Sequence, residues 1–178
     1  RIVDAIPREF IPKLKDVKVR GSFGWELDLS LDSTDPESLR YEARPKLTDY
    51  KLLSIGKEIN FKSVRGPFTQ VVVESEDKTH EFETGPGSLN WAPYDEISPW
   101  MTQVVTTTED GSFFRHEGIS TFAMKDSMIT NIERGGFVRG ASTISQQLVK
   151  NLFLGREKTL SRKFQELFIT WEMEKVFE

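Results

Sequence analysis

At 178 residues and a formal net charge of −4, the chain is long enough for one domain, or a small domain with part of another, and has no global basic surplus for nucleic-acid binding. It contains no cysteine, which excludes disulfides, thiolate metal sites and cysteine nucleophiles. No apolar run approaches the roughly 18 residues needed to span a bilayer, and no signal peptide opens the chain.

In chain order, the first half reads as β-rich. Phe23, Trp25, Leu27, Leu29 and Leu31 alternate with Gly24, Glu26, Asp28 and Ser30, the period of a half-buried strand. Phe68 to Val73 is a second strand, and Glu74-Ser75-Glu76-Asp77-Lys78 turns the chain into Thr79 to Glu83, completing a hairpin. The stretch from Asp35 to Asn60 is ambiguous between elements. His80 reads as a surface residue on its strand.

Composition then changes. Gly85-Pro86-Gly87, Pro93 and Pro99 mark a connector, and helical periodicity follows. Ser98-Pro99 predicts a helix opening, with serine at the cap and proline in the first turn. Trp100, Met101, Val104, Val105 and Thr108 mark an apolar face, so this first helix reads as buried. A second helix is predicted from Ser120 towards Ile132, ended by Gly135-Gly136. A third starts near Ser142 with Ile144, Leu148 and Leu152, and a fourth carries Leu160, Phe164, Leu167, Phe168 and Trp171 at three- and four-residue intervals. The expected class is α+β, divided into a β-rich module at 1–94 and a mainly helical part at 95–178. Because the chain starts at Arg1 and stops inside a helical pattern, it is expected to be an excerpt of a longer protein.

Chemistry concentrates in the helical half. Glu109 and Asp110 stand where the first helix ends, beside the negative pole of its dipole. A neighbouring like charge and partial burial each raise a carboxylate's pKa, the tuning a general base needs. His116 could hold such a carboxylate, and Gly118 could allow a tight turn. The plainer alternative is a solvated acidic pair and a structural histidine. Ser142 and Thr143 are good helix caps. Gln146 and Gln147 point about 100° apart, so at most one sits squarely in a core, and paired amides in a cleft could bind sugar hydroxyls. Arg134, Arg139, Lys150, Arg156, Lys158, Arg162 and Lys163 are interrupted only by Glu157. They form either a solvated basic face or a diphosphate site. Arg162 and Glu166 are spaced for a simple helical ion pair, or for a phosphate-facing cation oriented by its acid.

Taken together, these motifs resemble those of the peptidoglycan glycosyltransferases, glycosyltransferase family 51. Glu109, Asp110, Phe113, His116 and Gly118 match the family's ED-x-x-F-x-x-H-x-G. Gly140, Ser142 to Gln147, Lys150 and Asn151 match G-x-S-T-I-[TS]-Q-Q-x-x-K-N, with Ser145 where threonine is commoner. Arg162, Lys163 and Glu166 match R-K-x-x-E. The likeness runs from about Asp95 to the end, and the family's later motifs are missing.

The resemblance implies a lysozyme-like domain, here truncated, on the outer face of the bacterial cytoplasmic membrane. There it would polymerise lipid II onto a growing glycan strand. It implies Glu109 as general base and Glu166 as second carboxylate, positioning the leaving group or a Mg²⁺ or Mn²⁺ ion. Lys150, Lys158, Arg162 and Lys163 would stabilise the departing pyrophosphate. Asp110, His116, Ser142, Thr143, Gln146 and Gln147 would shape the substrate cleft. Ile119, Phe122, Met124, Met128, Ile129 and Phe137 are either bilayer-facing or core. The β-rich module could contact cell-wall synthesis proteins. The rival expectations are a glycan hydrolase on the same fold and a non-catalytic lipid II-binding module.

Overall fold

The computed structural model describes residues 11–32, 34–75, 78–155 and 157–177. Among them, β1 (Lys18–Asp32) and β2 (Asp35–Ser54) form a long antiparallel ribbon, from Lys18 opposite Ser54 to Asp32 opposite Asp35. Register shifts beside Arg20 and Ser22 mark a bulge, where Gly21 has a φ of 87°. A Cβ there would lie 2.3 Å from the Asp49 carbonyl oxygen, so the close approach requires glycine. The stretch without a clear period thus becomes β2. Its prolines, Pro36 and Pro45, are tolerated because a two-stranded ribbon leaves edge positions free of ladder bonds.

The alternation seen in β1 does not correspond to a half-buried strand where it is described. Leu29 and Leu31 are exposed, because the two-stranded ribbon has no second layer over them. The side chains of Phe23, Trp25 and Leu27 lie outside the described residues. The second hairpin forms as expected, from β3 (Phe68–Ser75) and β4 (Lys78–Thr84), with Phe68 opposite Thr84. Its turn residues Glu76 and Asp77 lie outside the described residues, and His80 is exposed.

Four helices follow: α1 (Pro99–Glu109), α2 (Thr121–Glu133), α3 (Ile144–Phe153) and α4 (Leu160–Phe177). Ser98 occupies the N-cap of α1, but its side chain makes no cap bond. Ser120 does cap α2, its Oγ accepting from Ala123 N at 3.1 Å, and Gly135 stops that helix at φ 62°. The mixed strand and helix content is that of an α+β chain.

One expectation is corrected here. Helix α1 has no buried residue, and Trp100 is 76% exposed. Its apolar stripe is real, but no described element covers it. The apolar segment 119–137 divides as well: Ile129 is buried, Phe122 and Phe137 are exposed, and Ile119, Met124 and Met128 are half-buried.

The core is built from both sides of residue 94. Ile11, Leu14, Ile59 and Phe61, which flank the ribbon, pack with Val149 of α3 and Ile169 and Met173 of α4. Lys13 N donates to Gln165 Oε1 at 2.9 Å in the same region. This shared core fixes α3 and α4 against each other, and thereby sets the stage on which the motifs meet.

Candidate functional site

The N-terminus of α3 is the hub. Thr143 and Gln146 form a reciprocal capping box. Gln146 N donates to Thr143 Oγ1, and Thr143 N donates to Gln146 Oε1, each at 3.2 Å. Gln146 is 2% exposed, so its amide belongs to the cap and its Oε1 also faces Lys163. Gln147 points elsewhere and is half-buried, as the 100° step between neighbours demands.

The end of α1 is tied to this hub. Asp110, 7% exposed, accepts from Ile144 N at 3.1 Å, placing a carboxylate on the positive pole of α3. His116 Nε2 lies 3.0 and 3.1 Å from the two Asp110 oxygens. A carboxylate only accepts, so that nitrogen carries the proton. Ser112 and Ser120 bring their hydroxyls to 3.1 Å across the same loop. Spacing did not single out this contact, although a helix start at Ser120 was legible.

Gly118 closes the motif. Its carbonyl accepts from Thr143 Oγ1 at 2.6 Å. With φ at 73° it packs so tightly on α4 that a Cβ would lie 2.9 Å from Thr170 Cγ2 and 2.5 Å from Glu174 Cγ. Phe113 stacks edge-on against Phe114 and His116, with ring centroids 5.1 and 6.4 Å away.

Glu109 and Asp110, adjacent in sequence, part company in space. Asp110 is buried and held; Glu109 is exposed, against the partial burial expected of it, because it sits on the open side of the last turn of α1. Gln147 Nε2 donates to Glu109 Oε2 at 3.0 Å.

The third motif approaches α3 from α4. Lys163 Nζ donates to Ser142 Oγ at 3.0 Å and also to Glu166 Oε1. Arg162 Nη1 donates to Glu166 Oε2, and its Nε reaches back to the Glu157 carbonyl. Glu166 is 2% exposed, with one cation on each oxygen. Two cations against one carboxylate leave a surplus positive charge, the balance that suits a phosphate-bearing ligand.

Lys150 lies one helical turn beyond Gln146 on α3 and is half-buried, while Lys158 is exposed in the loop that Arg162 anchors. Neither joins an ion pair among the described residues. Arg139 is paired with Asp126 at 2.7 Å, and Arg156 lies outside the described residues.

The described residues contain no group of three His, Asp or Glu side chains that could hold a metal ion. Both Glu166 oxygens already face cations, so this donor set does not suit direct metal binding.

Sequence reading missed Glu172, buried on α4. Tyr50 Oη donates to its Oε1 at 2.7 Å, and Lys175 Nζ does so at 2.8 Å. Tyr50 stands 122 residues away, so no local pattern could have revealed the contact.

Comparison with known proteins gives the family. The sequence model of the family described as Transglycosylase matches residues 75–178, more than half the chain. The match reaches further towards the N-terminus than the motifs alone. A protein of Nitrosospira multiformis named biosynthetic peptidoglycan transglycosylase is 46% identical over 86 residues, covering 48% of this chain and 37% of its own length. Proteins of the same name from Cupriavidus metallidurans and Cupriavidus pinatubonensis are 47% and 50% identical. Those alignments cover 52% and 47% of this chain, and 40% and 33% of the relatives. The chain therefore matches about two fifths or less of the length of these curated relatives.

Proposed function

The chain belongs to the transglycosylase family, and on that premise we propose that its protein is a peptidoglycan glycosyltransferase that polymerises lipid II into β-1,4 glycan strands. In this reading residues 95–178 are the front part of a lysozyme-like catalytic domain. The reaction takes place on the outer face of the cytoplasmic membrane. No helix among the described residues is long and apolar enough to cross that membrane. The β-rich region is left as the part available to other cell-wall synthesis proteins.

Glu109 takes the proton from the acceptor sugar's 4-hydroxyl. The freed oxygen bonds to the donor's anomeric carbon as the carbon–oxygen bond to pyrophosphate breaks. Inversion follows from attack opposite the leaving group. Undecaprenyl pyrophosphate departs with the bonding electrons, and Arg162, Lys163, Lys150 and Lys158 offset its charge. Glu166 keeps Arg162 and Lys163 in place. Asp110, His116, Thr143 and Gln146 hold the frame, while Gln147 and Ser142 border the cleft.

The observation that carries this reading is the placement of Glu109. It is an exposed carboxylate joined through Gln147 to the same short helix whose first turn meets Lys163 at Gln146. A base and a cationic leaving-group site on one scaffold are what glycosyl transfer from a pyrophosphate needs. A hydrolase has no pyrophosphate to neutralise, so the surplus cations speak against that rival.

The test is lipid II turnover by the complete protein, with and without moenomycin. Moenomycin-sensitive strand growth that Glu109→Gln abolishes supports the assignment. Shortened glycan would instead indicate a hydrolase, and lipid II binding without turnover a recognition module.

A further inference from the structure

One stripe of α4 faces residues 11–65, and it is not the stripe that carries Arg162, Lys163 and Glu166. Gln165, Ile169, Glu172 and Val176 recur at three- and four-residue intervals and so share a side of the helix. Lys13 N donates to Gln165 Oε1 at 2.9 Å. Ile169 packs in the core with Ile11, Leu14, Ile59 and Phe61. Tyr50 Oη donates to Glu172 at 2.7 Å, and Arg65 Nη2 donates to the Val176 carbonyl at 3.1 Å.

Gln165 stands where this stripe reaches the third motif, at one of the two unfixed positions of R-K-x-x-E. It is 3% exposed, so its amide needs partners inside the protein. Its Nε2 turns back to Ser161, 3.4 Å from both the carbonyl and the hydroxyl. Its Oε1 goes to Lys13, in the short helical turn Pro12–Leu14. The first N–H groups of such a turn have no partner within it, and Gln165 supplies one. Glu166 follows about 100° further round the helix, so the two side chains point to different sides. Turning α4 about its axis moves both, together with Lys163, whose Nζ crosses to Ser142 Oγ at 3.0 Å.

We propose that Gln165 is a positioning residue, through which the turn Pro12–Leu14 sets the rotation of α4 and hence the reach of Lys163 to Ser142. Residues 11–65 then serve the motifs as a clamp inside the molecule. The contact itself does not depend on the glycosyl-transfer reading; its effect on turnover does.

Gln165→Met keeps the length of the side chain and removes the acceptor. Acetylation of Lys163 by acetic anhydride, followed by mass spectrometry at low conversion, reads how firmly its Nζ is held. The variant should react about threefold faster or more at Lys163, as a locally opened contact does, with exposed Lys158 unchanged. Tyr50→Phe removes a bond from the same stripe two turns away and should leave the Lys163 rate as it is, whereas general loosening would raise it in both variants. In the complete protein, Gln165→Met should lower kcat for lipid II about tenfold with KM within about twofold, because substrate still binds while the cations are misplaced in the transition state. An unchanged Lys163 rate, an equal rise in Tyr50→Phe, or an unchanged kcat in a protein that turns over lipid II would each overturn the proposal. If the unaltered complete protein does not turn over lipid II, the glycosyl-transfer reading falls and the Lys163 rates decide this one. If Gln165→Met fails to fold, amide exchange in the unaltered chain decides. The Lys13 N–H should exchange in step with the first turns of α4, and exchange at the rate of an open amide overturns the proposal.

Discussion

The end of α1 and the first turns of α4 each bring a glutamate to the motif cluster, in opposite surroundings. Glu109 is exposed and touched by the neutral amide of Gln147. Glu166 is 2% exposed and gripped by Arg162 and Lys163. An exposed carboxylate with one neutral partner is open to an incoming substrate. A buried carboxylate that accepts from two cations is closed to it and holds both in place. Glu109 is suited to chemistry, and Glu166 to keeping positive charge where it is needed.

The strongest way to break that comparison is Glu109→Gln in the complete protein. Loss of a general base should lower polymerisation by about 10² to 10⁴, while stability stays within about 0.5 kcal/mol, as at other surface positions. A large fall in melting temperature would mean that Glu109 is a structural residue after all. Glu166→Gln should show the reverse balance. Two cations lose their charged acceptor at a cost of about 1.5–3 kcal/mol. The low end is expected, because Lys163 is 37% exposed and water replaces part of the contact. Denaturant unfolding of the chain checks this. Unchanged stability would remove the distinction between the two glutamates.

A smaller effect tests the hub that both share. Thr143→Ala removes the cap to Gln146 N and the bond to the Gly118 carbonyl. The expected loss is about 0.5–2 kcal/mol, with faster amide exchange in the first turn of α3. If exchange there is unchanged, the motifs are held together by the core rather than by the cap.

These contacts also mark where the sequence was legible. The helices could be read because their signals are local: Ser98-Pro99, the apolar run after Ser120, the capping residues Ser142 and Thr143, and the spacing from Leu160 to Trp171. The exposure of α1 could not be read, since a periodic apolar stripe says nothing about what covers it. Strand β2 was hidden by Pro36 and Pro45, which disqualify an interior strand but not a ribbon edge. Motif spacing placed Asp110 beside Glu109, but the bond from Ile144 N that buries it crosses 34 residues. The division of labour between those two acids was therefore invisible until the fold joined α1 to α3.

Glu172 provides the internal control, a second buried carboxylate on α4 that faces the ribbon instead of the motifs. Tyr50 donates to it, and burial followed by that carboxylate pushes the phenol above its ordinary pKa of 10.0. The unfolded chain therefore loses this proton first as pH rises. The stability tied to it is whole below about pH 10 and is lost as pH climbs towards the folded value. Tyr50→Phe should cost about 1 kcal/mol near neutrality, and less if Lys175 alone satisfies Glu172. The substitution should also flatten the alkaline fall in stability, a difference that unfolding curves at about pH 8 and about pH 10.5 would show. Lipid II turnover by the complete protein should hardly change. If it fell markedly, the two ends of α4 would be coupled, and burial of a carboxylate on this helix would no longer distinguish the motif cluster from the ribbon joint.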